Sequence, residues 1–101
     1  MPTYRWAPRF RADWNRLTPE QQEGFPAAVT HFVEDMHRVR GFRKGLRVKA
    51  VQGAAGIFEM TWADDGRATF MYGEAVIEGE PHVVWRRVGT HEIFGRRDGR
   101  L

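Results

Sequence analysis

The residues best suited to chemistry lie in the second half of the chain. They are His91, Arg67, Arg87 and Glu59, with Arg47, Lys49 and Arg86 as further cations. An imidazole titrates near neutral pH and can give or take a proton. A guanidinium holds anionic oxygens through paired hydrogen bonds, and a carboxylate is an alternative base. Three of these groups fall in one segment, Pro81 to Phe94, where Arg86, Arg87 and His91 interrupt an otherwise apolar run. Val83, Val84 and Val88, with Trp85 among them, predict a strand. A strand that also carries Arg86 and Arg87 must give at least one guanidinium a partner or water, because an unpaired buried charge is costly. One face of that strand is therefore expected to line an open polar surface, with His91 and Glu92 at its rim just past Gly89.

The rest of the chain supplies the elements that would position these groups. Tyr4 to Ala7 suggests a short strand ended by Pro8, and Phe10, Trp14 and Leu17 share one face of a short helix. Thr18-Pro19-Glu20-Gln21 is a helix start: Thr18 at the N-cap, Pro19 at the first helical position, Gln21 completing a capping box. Phe25, Ala28, Val29, Phe32, Val33 and Met36 continue at helical spacing, and Pro26 is expected to kink or restart the helix. After the basic turn from Gly41 to Gly45 the period changes to that of strands. Leu46, Val48 and Ala50 alternate with Arg47 and Lys49; Phe58, Met60 and Trp62 alternate with Glu59 and Thr61; Ala68, Phe70 and Tyr72 alternate with Arg67 and Thr69. Asp64-Asp65-Gly66 and Glu78-Gly79-Glu80-Pro81 read as turns between them. The expected architecture is α+β: a four- to five-stranded antiparallel sheet with two N-terminal helices on one face.

Alternation separates the aromatic from the charged side chains of each strand. If the aromatic face meets the helices, the other face gathers Arg47, Lys49, Glu59, Thr61, Arg67 and Thr69. In a regular last strand Arg87, Trp85 and His91 share one parity and join them, while Arg86 falls on the other. A bulge near Gly89 would exchange the two arginines. A basic face with an imidazole, a carboxylate and an aromatic ring suits RNA, since rings stack on bases and arginines pair with phosphates.

Composition narrows the field. The 101 residues suffice for one domain with a single modest core, and the absence of cysteine excludes disulfides, thiolate metal sites and thiol nucleophiles. The N-terminus lacks the apolar core of a signal peptide and no run approaches a membrane span, so a soluble cytoplasmic protein with no membrane role is expected. Net charge is only +3, and only Lys44 and Lys49 are lysines. That arginine bias fits nucleic acid or an acidic partner and equally reflects genomic base composition. His31 and Asp35 stand one helical turn apart without an evident third ligand, so no metal site is expected. The Gly-rich stretch from Gly41 to Gly56 lacks the Gly-Lys-Ser/Thr end of a phosphate-cradling loop.

The order strand, two helices, then a meander resembles the RelE/ParE superfamily of small bacterial type II toxins. The hairpin from Arg47 to Glu59, then Asp65 to Phe70, looks like that family's core, and Arg87-Val88-Gly89-Thr90-His91-Glu92-Ile93-Phe94 is similar to its closing strand. The resemblance covers about Tyr4 to Phe94, followed by a basic tail at about 95–101. It implies a toxin restrained by a cognate antitoxin that acts on the ribosome as an endoribonuclease (an mRNA interferase inhibiting translation). Cleavage of mRNA would proceed by attack of the RNA's own 2′-OH, without metal or cofactor. Arg67 matches the arginine after the central turn and Arg87 a basic position of the last strand, both as phosphate stabilisers. His91 would be acid or base, with Glu59 as the alternative base. Arg47, Lys49, Arg86, Trp85 and Phe94 would contact RNA. Many members carry Tyr where this chain has Phe94, which can stack but not hydrogen-bond. The alternative within the same fold is a non-catalytic binder, directed at gyrase or acting as an RNA- or protein-binding module. A homodimer is compatible with either.

Overall fold

The computed structural model describes residues 2–94, so the basic tail at 95–101 lies outside the described residues. Strand β1 (Thr3–Trp6) is followed by helix α1 (Pro8–Trp14) and helix α2 (Pro19–Asp35). A 3-10 turn (Lys44–Leu46) leads to β2 (Lys49–Ala50), β3 (Phe58–Thr61), β4 (Gly66–Gly73) and β5 (His82–Thr90), and a second 3-10 turn (His91–Phe94) closes the described chain. The strands form one sheet in the order β1-β5-β4-β3-β2.

Local chemistry sets most of these boundaries. Thr18 caps α2 as expected: its hydroxyl accepts from the Gln21 N–H at 3.2 Å, and the Gln21 side chain accepts from the Thr18 N–H at 2.8 Å. Pro26 does not interrupt α2, which runs through it without restarting. It lies on the exposed side, where water can take the carbonyl left without a helical donor, and the Thr30 hydroxyl donates to the Pro26 carbonyl at 3.2 Å.

Three expectations need correction. The sheet is mixed, because β1 runs parallel to β5 while the other pairs are antiparallel. A strand entering at the edge and leaving through two helices can return in either sense, and alternation carries no information about direction. The strand expected over Leu46 to Ala50 is reduced to Lys49–Ala50, since Leu46 is buried at the end of a 3-10 turn and Arg47 turns left-handed at φ 48° and ψ 45°. Last, Trp85 does not lie on the open face. The β4–β5 register pairs Thr69 with Arg87 but Phe70 with Trp85, so Arg86 is the extra residue of a bulge. Trp85 and Val88 both turn inward beside Phe70 and Ala68, and both are buried in the core.

The core lies between that face and the helices. Phe10 of α1 and Phe25 and Phe32 of α2 meet Phe70 and Trp85. Phe25 and Trp85 pack edge to face at 5.3 Å, as do Phe32 and Phe70 at 5.0 Å. Each such pair contributes about 0.5–1.5 kcal/mol beyond the area it buries.

Two carboxylates lock the helices in place. Asp13 of α1 accepts from Arg87 Nε at 2.7 Å and Nη2 at 3.2 Å, and from the Val88 backbone N–H at 3.2 Å. It thereby satisfies the edge of β5 beyond the point where β1 stops pairing. Asp35, at the end of α2, accepts from Arg43 Nε at 2.7 Å, Arg43 Nη2 at 2.9 Å, the Arg43 backbone N–H at 2.8 Å and Arg38 at 3.2 Å. The Arg43 side chain holds the Asp35 carboxyl far below its usual range against the opposing effect of burial, and Asp35 in turn raises Arg43. His31 is bound to the same guanidinium at 2.6 Å, so both residues of the superficially metal-like pair serve Arg43.

Candidate active site

In a meander, the turn between β3 and β4 and the end of β5 fall at the same end of the sheet. Ala63 to Asp65 form that turn, closed by the Gly66 N–H donating to the Ala63 carbonyl at 3.0 Å. The chain leaving β5 crosses beside it, and the His91 N–H donates to the Asp65 carbonyl at 3.1 Å. The side chains then meet: His91 Nδ1 lies 2.5 Å from Asp65 Oδ1. Both are well exposed, at 66% and 59%. The hydrogen bond from His91 holds the Asp65 carboxyl below its ordinary range; partial burial opposes this, and the charges of His91 and Arg67 assist it. A carboxylate on Nδ1 fixes the ring and leaves Nε2 free for an incoming group, the geometry of an oriented acid or base.

Two glycines permit this arrangement. A Cβ on Gly89 would stand 2.8 Å from the Ile93 side chain, so a larger residue would have to displace Ile93 where the His91–Phe94 turn closes over the end of β5. A Cβ on Gly66 would stand 2.6 Å from the Trp62 ring, which lies against that backbone with its Nε1–H donated to the Arg67 carbonyl at 3.0 Å.

Arg67 follows Gly66 at the same end and pairs across the sheet with Thr61 and with Gly89. Its Nη1 donates to the Gly66 carbonyl at 2.9 Å and the Asp64 carbonyl at 3.3 Å. These bonds position the guanidinium without neutralising it. His91 and Arg67 thus both act on Asp65, and the structure brings these two candidates together.

The other candidates are more dispersed. Glu59 pairs with Thr69, one step along the sheet from Arg67, and faces Lys49 at 3.7 Å. Arg87 is tied to Asp13 and only 12% exposed, so it is a structural ion pair as well as a site candidate. Arg86 is half-buried, with Nη1 lacking a hydrogen-bond partner, as does the fully buried Thr69 hydroxyl. Arg47 sits on the left-handed residue before β2, not within a strand. Phe94 is half-buried in the last 3-10 turn. Trp85 is removed from any surface role, being 3% exposed and ringed by Phe10, Phe25, Phe32 and Phe70.

Asp65 escapes a reading by residue type because an Asp-Asp-Gly run is first of all a turn. The signal that finds it is topological, since a meander returns the end of its last strand to the first turn of the hairpin. Asp13 escapes because α1 is short and its carboxylate reaches 74 residues ahead in sequence.

The fold is that of the RelE-like toxins, as solved structures show. The chain is similar to YafQ from E. coli in its complex with DinJ, with a TM-score of 0.68 and 10% identity over 94% of this chain and 98% of that one. The YoeB/ParE toxin of Agrobacterium tumefaciens gives 0.64 and 13% identity over 88% and 98%. RelE from the E. coli RelBE complex gives 0.60 and 15% identity over 89% and 96%. No protein-family model matches the chain, and no curated protein matches it significantly in sequence.

Proposed function

We propose that this chain is the toxin of a type II toxin–antitoxin pair and a ribosome-dependent endoribonuclease that cuts mRNA by internal 2′-OH attack. The observation that carries this reading is the exposed Asp65–His91 dyad with Arg67 beside it. In the reaction a base takes the 2′-OH proton, the 2′-oxygen attacks the adjacent phosphorus, and the 5′-oxygen leaves with a proton from an acid. The products are a 2′,3′-cyclic phosphate and a 5′-hydroxyl. His91 Nε2 serves one of these transfers, with Asp65 orienting the ring. Arg67 stabilises the charge on the pentavalent phosphorane. Glu59 remains the candidate for the second proton transfer, while Arg86, Lys49 and Arg47 supply cations to the flanking RNA. Arg87 contributes mainly by holding β5 to α1 through Asp13, with its guanidinium at the margin of the phosphate path.

An antitoxin as partner is supported by a second surface. A groove of about 380 Å³ between β1 and α2 exposes Tyr4 and Trp6 beside Val29, Val33 and Met36. Such an apolar strip in a small protein fits a partner's apolar helix face or strand. DinJ–YafQ and RelBE are toxin–antitoxin complexes. Among the described residues no helix is long and apolar enough to cross a membrane.

The test is a purified translation system programmed with a defined mRNA. The expected result is cuts within ribosome-bound mRNA bearing 2′,3′-cyclic phosphate ends, lost in His91→Ala. Arrest of growth or translation with intact RNA in both proteins would replace this reading by the non-catalytic one.

A further inference from the structure

Beside the dyad, on the helix side of the sheet, α2, the Lys44–Leu46 turn and β3 enclose an open cleft of about 550 Å³. Its origin is local. Where α2 elsewhere presents Phe25, Val29, Phe32 and Val33, the residues lining this cleft are Gly24, Ala27 and Ala28, too small to close the space to the sheet. The facing wall carries Trp62, whose ring is fixed by its Nε1–H bond and by contact with Gly66. Arg47 stands at the rim. It is the single non-glycine residue with positive φ among the described residues, and its guanidinium has no ion pair among them. A non-glycine residue kept in that backbone conformation is over-determined by its surroundings, a pattern concentrated at binding sites.

We infer that this cleft is a nucleotide subsite, taking one base of the RNA substrate against Trp62 with Arg47 on its phosphate. The inference rests on the RNA-cleaving reading above. Size and shape fit a single flat ring, since ligand sites of this kind span about 300–1,000 Å³. Aromatic walls accept any base face, and arginine forks suit phosphate. Arg43 is already paired with Asp35 and Glu34, so Arg47 is the lining arginine left to meet an anion. Position completes the case: Asp64 lines the cleft while its neighbour Asp65 holds His91, and Arg67 Nη1 reaches the Asp64 carbonyl at 3.3 Å. An RNA strand with its reacting phosphate at the dyad would lay an adjacent nucleotide here, so the cleft would set which nucleotide flanks the cut.

Isotope-labelled full-length protein, titrated with a 2′-O-methylated RNA hexamer that cannot be cleaved, tests this by NMR. The Trp62 indole N–H and the Ala27 and Ala28 amides should shift saturably. Arg47→Gly, which removes the guanidinium and relaxes the backbone, should weaken binding at least tenfold. Ala27→Leu, at an exposed position, should fill the cleft and abolish those shifts. No saturable shift at Trp62 up to millimolar RNA, or equal binding by both variants, overturns the subsite. Mapping cut positions on ribosomes separates it from the reading it rests on. Altered flanking-nucleotide preference among the cuts made by Ala27→Leu supports the subsite. Unchanged preference alongside loss of cutting in His91→Ala leaves the nuclease standing and removes the subsite. Cleft shifts in a protein that cuts no RNA keep the subsite and remove the nuclease.

Discussion

Asp13 and Asp35 on one side and Asp65 on the other make the same kind of contact, a carboxylate with a cationic or titratable partner, and the difference lies in what surrounds them. Asp13 and Asp35 are at most 6% exposed; Arg87 reaches Asp13 from the far end of the chain, and Arg43 folds back onto Asp35. Asp65 and His91 are both exposed at one end of the sheet. A buried carboxylate saturated by donors has no capacity left for a ligand, and its removal strands a cation in the interior. An exposed pair adds little to stability but keeps one side of the imidazole available. Burial therefore assigns the first two to architecture and leaves the third accessible to a ligand.

The contrast can be broken most forcefully at the buried pair. Asp13→Ala leaves Arg87 without its partner and should cost about 3–5 kcal/mol, read as a fall in the urea midpoint at constant m-value. A loss below about 1 kcal/mol would place Asp13 with the surface pairs and return Arg87 to the list of free cations. His91→Ala should lower ribosome-dependent cleavage by about 10²- to 10⁴-fold while leaving the thermal midpoint nearly unchanged. Equal losses of activity and stability would erase the distinction. Asp65→Asn should reduce cleavage less than His91→Ala does, because the ring loses its anchor but keeps its nitrogens.

The acid limb of stability sharpens the same point. Asp35 titrates far below its usual value in the folded chain, so its contribution is complete above an unfolded-state pKa of about 3.9 and fades as pH falls through the folded value. Asp35→Asn should flatten the pH dependence of the unfolding free energy below about pH 4. A parallel curve for the variant would show that the carboxylate is not what acid removes. Smallest of all, Lys49→Ala breaks an ion pair at 3.7 Å whose lysine is 67% exposed. It should change stability by less than about 1 kcal/mol, and any effect on RNA binding should diminish with added salt.

Much of the scaffold was legible in residue order. Thr18, Pro19 and Gln21 define the start of α2 because a cap is a local hydrogen-bond pattern. Phe58, Met60, Ala68 and Phe70 reveal an inward face because alternation is a local steric consequence of the pleat. Of the site, His91 and Arg67 stood out by type, and the structure brings them together. Their link, Asp65, was concealed within a turn signal. Trp85 was misplaced because one inserted residue, Arg86, reverses the parity that the sequence displays.

What the sequence by itself determined are the features that depend on neighbours within a few residues: the capped helix, the inward and outward faces of β3 and β4, the two turns, and the presence of a titratable group after the last strand. What only the tertiary structure decided are the features that depend on chain closure over long separations. These are the parallel pairing of β1 with β5, the bulge at Arg86, the capture of Arg87 by Asp13, and the meeting of Asp65 with His91. Register and charge partnership are settled by packing the whole core at once, and no local pattern encodes which distant carboxylate a given arginine or histidine will find.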